Sequence, residues 1–254
     1  YGGRATGPLR VDPARHTADE VGDEPLLLAA FAPVWVAKDR ARGAAAAIAD
    51  GAKILVLDDG YQDPSLAHDL SILVVDAARG FGNGHAIPAG PLREAIAPGL
   101  ARADLVIAIG TVEARTDFIA TWGHAMSVPI LGAMLRPLPT GLPLSGTPVL
   151  AFAGIADPAR FFATLRGLGA DLRKAIPLAD HQPLAPTLIS RLLREARAEG
   201  AIVVTTEKDA VRLPAALRQQ ITALPVRLSL ENDTELSDRL AAVARTRNGA
   251  KASV

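Results

Sequence analysis

The chain has 254 residues, enough for one large domain or two smaller ones with a sizeable core. Its 27 basic and 27 acidic residues cancel, so no global field draws it to nucleic acid or anionic lipid, and any basic site is local. Cysteine is absent, which excludes disulfides and thiolate metal sites, and no uninterrupted apolar run reaches bilayer-spanning length.

Tyr1 rather than Met opens the chain, in the glycine-rich phrase YGGRATGP with no signal peptide in view, and this start predicts a further segment ahead of it. In VGDEPLLLA, residues 21–29, Asp23 and Glu24 precede a proline and an apolar helical run. Asp23 there is either a helix cap or a chemical group. Pro33–Ala37 reads as a strand, and Asp39–Gly51 as an alanine-rich helix stopped by glycine. Ile54–Leu57 reads as a buried strand running straight into Asp58 and Asp59. Adjacent carboxylates repel unless a cation or partner offsets them. At a strand's carboxyl end in an open α/β sheet they suit Mg2+, which takes one or two carboxylates plus phosphate oxygens and water. The plainer reading is one capping and one solvated acid.

Ile72–Val75, Leu105–Ile109, Val149–Ala153, Ile202–Thr205 and Val226–Leu230 are further strands. Most are rich in Val, Ile and Leu without polar alternation, the pattern of a largely parallel sheet covered on both faces. RGFGNGHAIPAGPLRE, residues 79–94, follows Asp76. Gly80, Gly82, Asn83 and Gly84 cost backbone entropy and fit a loop that approaches something closely, while Arg79, Arg93 and Glu94 add charge; a flexible surface loop is the alternative. Residues 134–148, MLRPLPTGLPLSGTP, read as a linker between a lobe of residues 1–133 and a smaller α/β lobe of residues 149–254.

In that second lobe Asp157 caps a helix over Asp157–Gly167 with Pro158 at its first position, and Thr187–Glu199 is an amphipathic helix. LADHQP, residues 178–183, sets Asp180 beside His181, where a carboxylate can orient an imidazole or both can simply be exposed. VVTTEKDAVRLP, residues 203–214, runs a strand into Thr206. Thr206 suits a helix cap with Asp209 three residues on, and Lys208 suits an anion near that turn. A last helix begins near Ser237 and frays into the tail RTRNGAKASV. Alternating strands and helices give an α/β fold. Neither G-x-x-x-x-G-K-[ST] nor G-x-G-x-x-G at a strand-to-helix turn occurs.

Eight phrases in order resemble the tetraacyldisaccharide 4'-kinase (lipid A 4'-kinase) family over almost the whole chain: YGGR, VGDEPLLLA, PVWVAKDR, LVLDDGYQDPSLAHDLSILVVD, RGFGNGHAIPAGPLRE, AFAGIADPARFF, LADHQP and VVTTEKDAVRLP. The resemblance implies a P-loop-kinase-like, mostly parallel sheet with helices on both faces, plus the smaller C-terminal α/β lobe. It implies Mg2+-dependent transfer of the γ-phosphate of ATP to the 4'-hydroxyl of a tetraacylated glucosamine disaccharide-1-phosphate in lipid A biosynthesis. The enzyme would then be peripheral, at the cytoplasmic face of a Gram-negative inner membrane, with a lipid disaccharide and not nucleic acid as its partner.

By the same resemblance Asp58 and Asp59 look like magnesium-binding acids, Glu94 like a further metal-site acid, and Gln62 and Arg93 like nucleotide or phosphate contacts. Asp23 looks like the base that takes the sugar hydroxyl's proton, and His181 like its partner across the cleft between lobes. Tyr1 and Arg40 look like substrate contacts. The family's first strand and P-loop have no counterpart in residues 1–254, which implies that this stretch alone is inactive. Gln182 stands where the family often carries a basic residue or second histidine. The rival reading is a metal-dependent nucleotide-sugar glycosyltransferase, because acids at a strand end also hold a metal–diphosphate. The donor, Mg·ATP or a UDP-sugar, separates the two.

Overall fold

The computed structural model describes residues 3–139, 141–180 and 182–249. In chain order, β1 (Leu9–Arg10), α1 (Ala18–Val21), α2 (Asp23–Leu28), β2 (Trp35–Val36) and α3 (Arg40–Ala49) come first. Next are β3 (Ile72–Asp76), α4 (Ile96–Leu100), β4 (Leu105–Ile109), α5 (Val112–Trp122) and β5 (Ile130–Pro137). Then come β6 (Pro148–Ala153), α6 (Pro158–Gly167), β7 (Asp171–Pro177), α7 (Pro186–Ala198), β8 (Ile202–Thr206), α8 (Glu207–Ala210), α9 (Ala215–Arg218) and β9 (Thr222–Leu224). β10 (Val226–Leu230) and α10 (Thr234–Gly249) end the described chain.

These elements form two compact units, Tyr1–Gly51 with Pro137–Val226 and Ala52–Arg136 with Arg227–Val254. Sequence pattern divides the chain into consecutive lobes; the structure builds each unit from two separated stretches. Residues 134–137, read as linker, finish strand β5. Helix α2, from the early part of the chain, packs against α8, from the late part.

The first unit holds a four-stranded sheet in the order β7-β6-β8-β9, parallel throughout. Side chains alternate along β6, as a strand requires. Val149, Ala151 and Ala153 pack with Phe161, Phe162 and Leu165 of α6. Leu150 and Phe152 pack on the other face with Ile189, Leu192, Leu193 and Ala196 of α7. Helices on both faces explain why β6 and β8 show no polar alternation. Phe152 is fully buried, and such burial stabilises by about 1.5–3 kcal/mol per side chain. Helix α6 starts where Asp157 accepts the Arg160 N–H at 3.1 Å, with Pro158 at its first position. The strand expected at Pro33–Ala37 is only the two-residue β2, antiparallel to β1.

The second unit's sheet has the order β10-β5-β4-β3, with β3, β4 and β5 parallel. Leu105 and Ile107 face a core with Ala133, Leu230 and Leu236. Val106 and Ala108 face the opposite core with Phe81 and Phe118.

Two further sequence expectations fail. Ile54–Leu57 forms no strand. Extended backbone needs a hydrogen-bonded neighbour, and none pairs with this stretch among the described residues. Val56 is 92% exposed there. Helix α10 runs to Gly249 rather than fraying from Arg245.

The second unit is tied by Arg115 on α5, which is 6% exposed. One guanidinium nitrogen donates to the carbonyls of Gly110 at 2.6 Å and Ala133 at 3.3 Å. The other donates to Glu231. Glycine at 132 is required, since a Cβ there would lie 2.6 Å from a Glu231 oxygen and 2.9 Å from Arg115 Nε. Arg115→Ala leaves the carbonyls that its guanidinium caps without that donor and is expected to cost on the order of 1–3 kcal/mol. Glu231, whose side chain is 58% exposed, is expected to cost at most about 1 kcal/mol as Glu231→Ala. Urea denaturation should rank the two variants in that order; equal losses would locate the stability in the ion pair rather than in the capped carbonyls.

Candidate active site

Asp58 and Asp59 lie in the exposed turn that follows the apolar run at 54–57. Asp59 has φ +49°, in the left-handed region that aspartate tolerates better than most residues. The chain therefore turns at this pair, and strand alternation does not separate the two carboxylates.

Beyond the turn is a cavity of about 320 Å³, whose lining pairs polar Asp59, Gln62, Arg93 and Glu94 with apolar Leu73 and Phe81. Glu94 is the hub of its polar side. Arg102 grips it with two nitrogens at 2.8 and 2.5 Å, and Gln62 Nε2 donates to it at 2.6 Å. Arg93 in turn donates to Gln62 Oε1 at 3.4 Å. These hydrogen bonds, Arg102's foremost, hold the Glu94 carboxyl down at about 2. Arg102 also lies 5.4 Å from the Tyr61 ring centre, and the Tyr61 hydroxyl donates to the Gly99 carbonyl at 2.6 Å.

Glu94 therefore serves as an acceptor for Arg102 and Gln62. The expected trio Asp58, Asp59 and Glu94 does not gather, and no group of three or more His, Cys, Asp or Glu able to hold a metal occurs among the described residues. Arg102 was not singled out by the sequence; its signal is a position just beyond the short helix α4 that Glu94 precedes.

The 79–94 loop is folded on itself. Asn83 donates to the Ala89 carbonyl at 2.8 Å, and the Ile87 N–H to the Leu92 carbonyl at 2.8 Å. A Cβ at Gly90 would lie 2.1 Å from Asn83 Oδ1. What this backbone approaches closely at Gly90 is its own return.

In the first unit, three motifs follow the carboxyl ends of three neighbouring parallel strands: GIADP after β6, LADHQP after β7 and TEKD after β8. Sheet order thus brings together segments far apart in sequence. Thr206 caps α8, accepting the Asp209 N–H at 3.1 Å, as its sequence predicts. Asp23 opens α2 without being its cap, which is Gly22. It is 6% exposed, and its Oδ1 accepts the Glu24 N–H at 3.0 Å. Glu24 pairs with Lys208 of α8 at 3.1 Å. Sequence pattern places Asp23 and LADHQP in different lobes; in the structure both stretches belong to one unit.

Arg40 is half-buried in the first turn of α3. A polar pocket of about 250 Å³ near it is lined by Lys38, Asp39 and Arg42 among others, but not by Arg40. Tyr1 and His181 lie outside the described residues.

The α/β fold has a counterpart among solved structures. The crystal structure of LpxK from Aquifex aeolicus in complex with ATP matches with a TM-score of 0.74, covering 96% of this chain and 76% of that one at 24% identity. The chain thus shares that protein's α/β fold. The family model for tetraacyldisaccharide-1-P 4'-kinase matches residues 1–245. The tetraacyldisaccharide 4'-kinase of Jannaschia sp. (strain CCS1) is 61% identical over 91% of this chain and 71% of that protein. That of Dinoroseobacter shibae is 59% identical over 94% and 72%. The chain belongs to the tetraacyldisaccharide-1-P 4'-kinase family and is a kinase. Nothing in these relatives supports the glycosyltransferase reading.

Glu94's lowered pKa means that its pairing contributes fully above the ordinary carboxylate range and is lost as pH falls through about 2. The network is therefore intact at neutral pH. Arg102→Ala is expected to return the Glu94 pKa toward the ordinary value of about 4.3. An NMR titration of the Glu94 carboxyl reads this; a pKa unmoved by the substitution would mean that Gln62 alone holds it down.

Proposed function

We propose that the chain carries the acid–base and metal groups of a transfer of the γ-phosphate of ATP to the 4'-hydroxyl of a tetraacylated disaccharide-1-phosphate, a step of lipid A biosynthesis, and that the phosphate-cradling loop absent from residues 1–254 is supplied from outside them. The carrying observation is the family match across residues 1–245. Among the described residues no helix is long and apolar enough to cross a membrane. We assign the enzyme a peripheral place at the cytoplasmic face of the inner membrane, a reading that an acylated substrate and ATP as donor support.

Asp23 takes the role of general base. Its carboxylate accepts the proton of the 4'-hydroxyl as that oxygen bonds to the γ-phosphorus and the bond to the β-phosphate oxygen breaks, releasing ADP. Its burial favours this role, because little water competes for the carboxylate. His181 is assigned as Asp23's partner, and Tyr1 and Arg40 as substrate contacts. Gln62 and Arg93 are assigned to the nucleotide, supported by their place in the lining of the larger cavity.

Asp58 and Asp59 fit Mg2+. They are two exposed carboxylates, hard oxygen donors that leave positions for phosphate and water. Glu94 does not fit, since Arg102 and Gln62 occupy it. Bound Mg2+ would offset the negative charge of the β- and γ-phosphate oxygens.

Asp23→Asn is isosteric and removes only the base. It is expected to lower kcat by roughly 10²–10⁴-fold while leaving the KM for ATP within about twofold, as expected of a group that acts only in the transition state. Asp59→Asn is expected instead to raise the Mg2+ concentration needed for half-maximal rate. Phosphate transfer from ATP to the lipid disaccharide, followed against Mg2+ concentration, measures both. Wild-type turnover by Asp23→Asn would remove the base from this scheme.

A further inference from the structure

The roles assigned above leave the TEKD motif without a task. Its Asp209 anchors helix α8. That carboxylate is fully buried, and its Oδ2 accepts the Gly154 N–H at 3.0 Å and the Thr206 hydroxyl at 2.8 Å. Arg212, two residues past the helix, donates to its Oδ1 at 3.2 Å. A helix of four residues has little stability of its own. Fastened in this way to the ends of β6 and β8, it becomes a fixed point of the first unit.

From that point Lys208 reaches α2. Its Nζ donates to Glu24 Oε1 at 3.1 Å, and the two helices are packed together. Sequence position suits Lys208 to an anion, and the Glu24 carboxylate is one. Glu24 in turn gives its N–H to Asp23 Oδ1 at 3.0 Å. The residue that Lys208 grips is therefore the residue that hydrogen-bonds the assigned base. Asp23 heads a helix of only six residues, whose apolar anchor is Leu26 in a small core with Val11 and Val21. So short a helix is marginal alone, and its direction is set by what its side chains meet.

The Lys208 and Glu24 side chains are 23% and 48% exposed. A pair that open to water adds little to stability. What it fixes is the orientation of the first turn of α2 relative to the anchored α8.

We propose that Lys208 is a positioning residue for phosphate transfer: through Glu24 it holds the first turn of α2, and with it the Asp23 carboxylate, in the orientation that accepts the proton of the 4'-hydroxyl. The proposal rests on the assignment of Asp23 as general base.

The test is Lys208→Met and Glu24→Gln in the purified kinase, each alone, the two together, and Lys208→Met combined with Asp23→Asn. Lys208→Met is expected to lower kcat about 10–100-fold, the scale of a misplacement of about 1 Å. The KM for ATP should stay within about twofold, and Tm within about 4 °C, because the pair is partly solvated. Glu24→Gln should behave alike, and the two together should cost no more than the costlier one alone. Lys208→Arg keeps the cation and should retain most of the rate. On the Asp23→Asn background Lys208→Met should cost almost nothing more, because the group it positions is already gone. Should Lys208→Met fail to fold, Glu24→Gln, at a half-exposed side chain, carries the same reading. Turnover by Lys208→Met within twofold of wild type, losses that multiply in the double variants, or equal losses for Lys208→Arg and Lys208→Met overturn the positioning role and leave Asp23 standing as base. Wild-type turnover by Asp23→Asn overturns the base itself, and the positioning role with it.

Discussion

A carboxylate without water must have its charge met by the protein. Asp209 is such a group, and the top of the first unit's sheet is arranged around that demand. An ionised acid moved from water into the interior costs several kcal/mol unless hydrogen bonds and an opposite charge replace its hydration. Asp209 draws these from three places: the end of β6 at Gly154, the cap of its own helix at Thr206, and Arg212. Each must keep its position for the carboxylate to remain buried, so the ends of β6 and β8 are fixed against one another. The loop after β7 is drawn in because Arg212 has a second nitrogen to satisfy.

The second unit uses the same physics with the sign reversed. Arg115 is the buried charge, and the Gly110 carbonyl just past β4 and the Ala133 carbonyl within β5 do most of the solvating, with the exposed Glu231 alongside. Glu94 and Arg102 are a different case. Both are partly solvated, and pairs of that kind contribute little to stability. Their geometry is nevertheless specific, two guanidinium nitrogens on one carboxylate with Gln62 alongside. A pair of this sort orients side chains without holding up the fold, which suits the lining of a cavity.

The parallel strands were legible because burial on both faces removes polar alternation: β3, β4, β6 and β8 all read as apolar runs. The caps Asp157 and Thr206 were legible because capping depends on two or three adjacent residues. Strand β7 was not, because it ends the sheet order and carries Arg173 and Lys174, and charged side chains on an edge strand erase the apolar signal. Ile54–Leu57 failed in the opposite sense: its composition is that of a strand, but composition does not supply a partner. The acid pair after it was visible as a motif, whereas the turn at Asp59, with its positive φ, was not. Glu94 was visible in its motif, whereas its contact with Arg102 was not. Arg102 lies eight residues on, and which of several arginines meets an acid is decided by the folded chain.

Sheet order explains why the site's parts are scattered in sequence. Strands β7, β6 and β8 are neighbours and parallel, so the segments after them emerge at one end of the sheet although they span residues 154 to 212. Ligands of open α/β sheets bind at that end. A motif such as LADHQP is weak evidence alone, because a histidine beside an aspartate is common on any surface. Its meaning comes from its neighbours: one strand over lies the Gly154 N–H that Asp209 requires, and one strand further lie the helix that supplies Asp209 and, two residues past its end, Arg212. Asp23 reaches the same unit by another route, through α2 packing on α8. The short helix α8, which sequence pattern explains fully as a capped turn, packs on α2, and Arg212 just beyond it reaches the Gln182 carbonyl; capping accounts for neither contact.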